Sequence, residues 1–244
     1  MNVLKGDFHT HTKYSIEPKF GLIFEIRALH GPERLIKTAI KRGLTSLAIT
    51  DHDNIRGAEI GEQYIKKHKI ENFTLLKGEE VSTNKGHMIG VGLEEPIKPG
   101  RSPQETADKI KAQGGAVIVP HPYTHYGIKE YTVTTKGIDA IEVFNTFYWF
   151  NSMQKLRTNF YPKFAERHHL GQVAGTDAHT LGIIGKVYTK IKSEHGVDNV
   201  VKAVKQHNTE CAQYTTFLRS VRAVLKTAGL FPLFWRPKPK IKKA

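Results

Sequence analysis

Two histidines one residue apart, His9 and His11, stand in the run Asp7-Phe8-His9-Thr10-His11-Thr12. Alternate residues of an extended chain point the same way, so both imidazoles can face one point. The arrangement recurs along the chain. Thr50-Asp51-His52-Asp53, Gly78-Glu79-Glu80, Pro120-His121-Pro122 and Asp177-Ala178-His179 each follow an apolar run, and His87 precedes the apolar stretch Met88–Val91. A mixture of histidine and carboxylate without cysteine suits Zn, Mn or Fe. Donors of this number exceed what a single tetrahedral ion takes, which implies two or three divalent ions, some bridged by a shared carboxylate. Clustered ions of that kind make hydroxide at neutral pH and clamp a phosphoryl group. Each fragment has a plainer use. A lone His-x-His is a weak signal, His121 between prolines suits a turn, and Asp51 and Asp53 suit helix caps. Joint order and placement set these sites apart from His30, His68, His125, His168, His169, His195 and His207, which read as surface or packing residues.

The elements that would position these donors alternate between short β-branched runs and helical stretches, the pattern of an α/β fold. Gly31-Pro32-Glu33 opens a helix with apolar Leu35, Ile36, Ala39 and Ile40. Proline suits its first turn and Gly43 its end. Thr45–Ile49 reads as a buried strand, followed by a helix through Tyr64 and Ile65 and a strand near Phe73–Leu76. Ser102-Pro103-Gln104-Glu105 is a capping-box start for a helix ending at Gly114-Gly115. Ala116–Val119, Ile138–Phe144 and Gln172–Ala174 are further strands, and Val197–Gln206 is the last helix of the body. Ligand-type residues thus recur after the carboxyl ends of strands, where an α/β barrel builds its active site.

Composition narrows the class. The chain has 244 residues, 39% hydrophobic and 25% charged, which fits a folded globular protein. Its one cysteine, Cys211, excludes an internal disulfide framework and a cysteine-only metal site. No apolar signal segment or long apolar run stands out, so the expected compartment is the cytoplasm. The net charge is +14, from 37 Lys/Arg against 23 Asp/Glu. Residues 211–244 hold eight Lys/Arg and no Asp/Glu, and they read as a basic extension to a body spanning 1–210. Phe217, Val221, Val224, Leu225 and Ala228 in that extension have helical spacing, which suits packing on the body or an amphipathic contact with a membrane surface or partner. A basic body favours anionic partners such as phosphates or nucleic acid.

The motifs at His9/His11, Asp51-His52-Asp53, Gly78-Glu79-Glu80, Gly86-His87-Met88, Pro120-His121-Pro122 and Thr176-Asp177-Ala178-His179 appear in order. Together they resemble the polymerase and histidinol phosphatase (PHP) family of metal-dependent phosphoesterases. The resemblance spans roughly residues 1–210 and implies a distorted (β/α)7 TIM-like barrel with a metal cluster at the carboxyl ends of its strands. Carried over motif by motif, His9, His11, Glu80 and Asp177 would hold a first ion. Glu80, which matches the family's Gly-x-Glu pattern, would bridge to a second ion on His87 and His121. His52 and His179 would hold a third, and Asp7 would orient a ligand histidine. The family often places an Asp or His seven residues after the first histidine. Here that position is Ile16, and Glu17 is the nearest carboxylate.

The function this implies is hydrolysis by a metal-bridged hydroxide of a phosphomonoester or of the 5′ end of a nucleotide or oligonucleotide. A small phosphorylated molecule or a nucleic-acid end would be the partner. The alternative from another class is a non-enzymatic barrel that binds metal or nucleic acid.

Overall fold

A computed structural model of the chain describes residues 2–16, 28–147 and 160–212. Glu17 and the extension after Ala212 lie outside the described residues, together with the helix expected around Phe217–Ala228.

The strands are β1 (Val3–Asp7), β2 (Ser46–Ile49), β3 (Thr74–Thr83), β4 (Gly86–Val91), β5 (Ala116–Val119), β6 (Ala140–Asn145), β7 (Gly171–Gly175), β8 (Tyr188–Lys192) and β9 (Thr209–Ala212). They form one nine-stranded sheet in the order β7-β6-β5-β4-β3-β2-β1-β8-β9. β1, β2 and β3 pair in parallel, as do β5, β6 and β7. β4 lies antiparallel between β3 and β5, and β8 and β9 add antiparallel beyond β1. The two ends of the sheet curl towards each other. The Thr189 hydroxyl of β8 accepts the Ala174 amide of β7 at 2.9 Å, so a side chain joins strands that share no ladder. The result is the nearly closed, distorted α/β barrel that the motif order implied. β4, β8 and β9 were not legible as strands, and the sheet runs through Ala212, past residue 210.

The helices are α1 (Pro32–Lys41), α2 (Arg56–Lys67), α3 (Pro103–Ala112), α4 (Tyr131–Thr134), α5 (Phe160–Arg167) and α6 (Val197–Lys205). α1 starts on Pro32 and buries Leu35, Ile36 and Ala39 against Leu47 and Ile49 of β2. α3 carries the expected capping box: Ser102 Oγ accepts the Glu105 amide, and the Glu105 carboxylate accepts the Ser102 amide at 2.9 Å. Inside the barrel, Leu4, Phe8, Leu76, Ile89, Ile118, Val173 and Ile191 pack together, and Val200, Val201 and Val204 of α6 join them. Each aliphatic side chain buried in this way contributes about 1.5–3 kcal/mol.

Backbone bonds extend the ladders past the strand ends and draw the donor motifs together. The His11 amide donates to Ala178 and the Asp177 amide to His9, at 3.2 and 2.9 Å. The Glu80 amide donates to Asp51, and the Asp53 amide to Glu80. These bonds set the loop after β1 against the loop after β7, and the loop after β2 against β3.

Candidate metal centre

Glu80 lies at the middle of the donor set. Its side chain is buried, and its two oxygens face different groups. Oε2 is 3.0 Å from His9 Nε2, 3.3 Å from His11 Nε2 and 3.5 Å from His52 Nε2. Oε1 is 3.0 Å from both His87 Nδ1 and His121 Nε2. Asp177 closes the other side, with Oδ1 3.2 Å from His11 Nε2 and 3.5 Å from both His9 Nε2 and His179 Nδ1. The structure therefore brings His9, His11, His52, Glu80, His87, His121, Asp177 and His179 into one continuous network. Four overlapping groups have donor atoms close enough to share a cation: His9 with His11 and Glu80, His9 with His121 and Asp177, His52 with Glu80 and His87, and His11 with His52 and His179.

Strand geometry explains the choice between the two adjacent glutamates. Successive residues of β3 face opposite sides. Glu79 lies away from the cluster, where its Oε2 accepts the Ile97 amide at 2.7 Å and burial pushes its carboxyl up to about 8. Asp51 and Asp53 cap no helix, since α2 has Ile55 at its N-cap. Instead Asp51 accepts the Thr12 amide and hydroxyl, and Asp53 accepts the Ser82 amide at 2.7 Å. Both pin the loops that carry donors. His121 and Asp177 have φ of 28° and 52°, in the left-handed region that side chains seldom occupy. Strain of this kind persists where the surrounding structure fixes it, and it concentrates at functional sites.

Asp7 stands at the end of β1, two residues before His9. Its carboxylate accepts the Thr176 amide at 3.0 Å, the Thr176 hydroxyl at 2.6 Å and the His9 amide at 3.4 Å. It ties the end of β1 to the end of β7. Burial outweighs those bonds and pushes its carboxyl up to about 6. The carboxylate that holds the His9 ring is Glu142, whose Oε1 is 3.2 Å from His9 Nδ1. Its Oε2 accepts the His121 amide and the Asn145 side chain, each at 2.8 Å. Asn145 also donates to Asp177 at 3.2 Å. One signal in the sequence pointed to Glu142: it is the single charge in the otherwise apolar run Ala140–Phe144.

The electrostatics fit cation binding. Burial would raise the Glu80 carboxyl, but His52, His9 and His87 outweigh it and hold it well below the ordinary range. Burial likewise opposes ionisation of Asp177, and His9 and His11 reverse the balance. Burial also opposes charge on His9 and His11. Asp177, Glu80 and Glu142 nevertheless raise His9 well above its usual value, and Asp177 and Glu80 push His11 up to about 9. The site thus demands positive charge. His9 Nε2 and His11 Nε2 stand 3.1 Å apart facing the same carboxylates, and such a pair needs a proton or a metal ion between its lone pairs. Burial pushes His52 well below its usual value and takes His179 down to about 4, which favours free lone pairs on these rings. With Nδ1–H directed at Glu142, His9 presents the lone pair of Nε2 inward.

A model of the PHP domain matches residues 7–229. The chain belongs to the PHP domain family. The match continues past residue 210. A Methanocaldococcus jannaschii protein, uncharacterized protein MJ1587, is 38% identical over 149 residues, 59% of this chain and 84% of its own. A two-domain Bacteroides vulgatus protein containing a predicted PHP-like metal-dependent phosphoesterase superposes with a TM-score of 0.66 at 17% identity, over 89% of this chain and 70% of its own. Endonuclease Q, solved with a 27-mer duplex substrate bearing an abasic lesion at the active site, gives a TM-score of 0.56 at 15% identity, over 84% of this chain and 57% of its own. These superpositions show that this PHP domain has the fold of PHP-like metal-dependent phosphoesterases. No helix among the described residues is long and apolar enough to cross a membrane.

Proposed function

We propose that this PHP domain is a metal-dependent hydrolase of phosphoesters, acting on a phosphomonoester or on the 5′ end of a nucleotide or oligonucleotide. One observation carries the reading: the Glu80 carboxylate divides its oxygens between His9, His11 and His52 on one side and His87 and His121 on the other. A carboxylate so placed suits two ions, with Asp177 completing the first set and His179 adding to the group around His11 and His52. Mn, Fe or Zn would each accept these donors. When bound, such ions supply a hydroxide at neutral pH and neutralise charge growing on phosphorus oxygens. Glu142 and Asn145 hold His9, His121 and Asp177 at their angles, and the left-handed turns at His121 and Asp177 aim their donors inward.

The oligonucleotide option draws on the basic balance of the chain and on the DNA-bound neighbour in the fold comparison. In this reading the barrel performs the hydrolysis, and the stretch after Ala212 is a basic extension for an anionic surface or partner. The test is turnover of an aryl phosphate monoester and its diester with added Mn²⁺, wild type beside Asp177→Ala, with metal content measured on both. Metal-dependent turnover that the variant loses supports the hydrolase, and the ratio of the two substrates separates phosphatase from phosphodiesterase. A metal-loaded protein inert on monoester, diester and 5′-phosphorylated oligonucleotide sinks it and leaves a binding module.

A further inference from the structure

The rim of the centre carries an aromatic ring that the donor set does not use. Tyr126 lies on the loop after β5, and its carbonyl accepts the His87 amide at 2.8 Å. Its phenol lies nearly parallel to the His87 imidazole, 12° apart, with centroids separated by 5.5 Å. Tyr126 is 38% exposed, whereas His87 beneath it is 8% exposed. The backbone around it has no slack. A Cβ on Gly86 would come within 2.6 Å of the Tyr126 carbonyl oxygen, and one on Gly127 within 2.5 Å of the His121 carbonyl oxygen. Thr124, in the same turn, has its hydroxyl 3.2 Å from His121 Nδ1. A single turn therefore braces two donor residues and presents a partly open ring beside them, with the His125 ring set edge to face against it at 5.1 Å.

Two lysines of the loops that carry donors lie over aromatic rings. Lys85, in the turn between β3 and β4, places Nζ 5.6 Å from the Tyr131 ring. Lys13, after β1, places Nζ 5.2 Å from the Tyr14 ring. The Arg101 carbonyl accepts the Asn84 amide in the same hairpin. Aromatic faces interleaved with cations are what single-stranded nucleic acids use, since every base has a π face and every link a phosphate.

We infer that Tyr126 is a stacking platform for the nucleobase of the substrate. The inference rests on the phosphoester reading and sharpens it: the phosphate meets the donor set, and the base lies on the phenol. In a 5′-nucleotide one ribose separates base from phosphate. In the protein one imidazole, that of His87, separates Tyr126 from Glu80. Tyr126 is a specificity residue in this arrangement and takes no part in bond cleavage.

The test is binding, which needs no turnover. The full chain loaded with Mn²⁺ is titrated calorimetrically with the non-cleavable methylene phosphonates of adenosine 5′-monophosphate and of ribose 5-phosphate. Wild type is expected to bind the base-bearing analogue about tenfold more tightly than the base-free one. Tyr126→Ala is expected to erase that preference while leaving the base-free analogue and the metal content unchanged, and Tyr126→Phe to keep it. Equal affinity of wild type for both analogues overturns the platform and leaves the phosphoester reading standing. Loss of both analogues or of metal in Tyr126→Ala also overturns it, because the phenol would then only support His87. Failure of metal-loaded wild type to bind either analogue overturns the platform, and the turnover test decides the phosphoester reading separately.

Discussion

Glu142→Gln is the substitution that best isolates how the protein prepares its donors. The change keeps the shape of the side chain and removes its charge. Glu142 accepts from three directions: His9 Nδ1 at 3.2 Å, and the His121 amide and Asn145 Nδ2 at 2.8 Å each. A glutamine has one acceptor oxygen and one donor NH₂. If its oxygen stays with His121 and Asn145, the NH₂ faces His9 Nδ1. That ring then shifts its proton to Nε2, the atom 3.0 Å from Glu80 that should offer a lone pair. If the amide flips, two buried donors, those of His121 and Asn145, lose their acceptor.

Either outcome has a magnitude. A buried group left without its partner costs about 1–3 kcal/mol. Loss of the carboxylate behind a ligating histidine typically weakens metal binding or activity by roughly 10–100-fold. The expected result is a tightest Mn²⁺ affinity lower by about that factor, measured by titration calorimetry, and a modest fall in metal-free stability, measured by urea denaturation. Turnover at saturating metal should recover in part. An affinity matching wild type would refute the reasoning, because His9 would then keep its productive tautomer without Glu142.

Two further outcomes follow from local packing. Gly175→Ala should lose most metal affinity, because a Cβ there would run into the Glu142 carboxylate and the His9 Cβ; wild-type metal content in the purified variant would contradict this. Cys211 should stay unlabelled by a thiol reagent at pH 8 in the native protein and react fully in urea, since burial, reinforced by Glu142 and Glu210, pushes its thiol up to about 12 and keeps it protonated; rapid native labelling would contradict this.

Much of the site was legible because donor chemistry and strand spacing are local. His9 and His11 share a side by the two-residue period of an extended chain, and the capping box at Ser102 names both of its own partners. Glu142 was hidden because a single carboxylate in a buried strand reads as an exception until its neighbours are known. Those neighbours, His9 and His121, lie far away in sequence and come together only through the sheet. The partners of Asp7 were hidden for the same reason: its carboxylate reaches Thr176, distant in sequence, across the barrel. β4, β8 and β9 escaped notice because they run antiparallel to their neighbours and interrupt the alternation of strand and helix on which the reading depended.

The antiparallel β4 also explains why one carboxylate can serve so many imidazoles. In an uninterrupted parallel barrel, a helix would follow β3, and the next donor would come from a neighbouring parallel strand. Here β3 runs on past Glu80 to Thr83 and turns at once into β4, which returns His87 to a position opposite Ser82. The hairpin sets His87 Nδ1 against Glu80 Oε1 with only seven residues of separation, while His121 reaches the same oxygen from β5. Oε2 remains for His9, His11 and His52, which come from the β1 and β2 ends. Glu80 therefore joins the parallel group β1–β3 to the group that begins at β5. A cation held there acts on both groups, so its binding free energy adds to the stability of the closed barrel. Without one, the buried carboxylates are balanced by protons on His9 and His11, a balance that weakens as pH rises through their raised values. The donor cluster is thus both the proposed reaction centre and the charge-balanced clasp between the two groups of parallel strands.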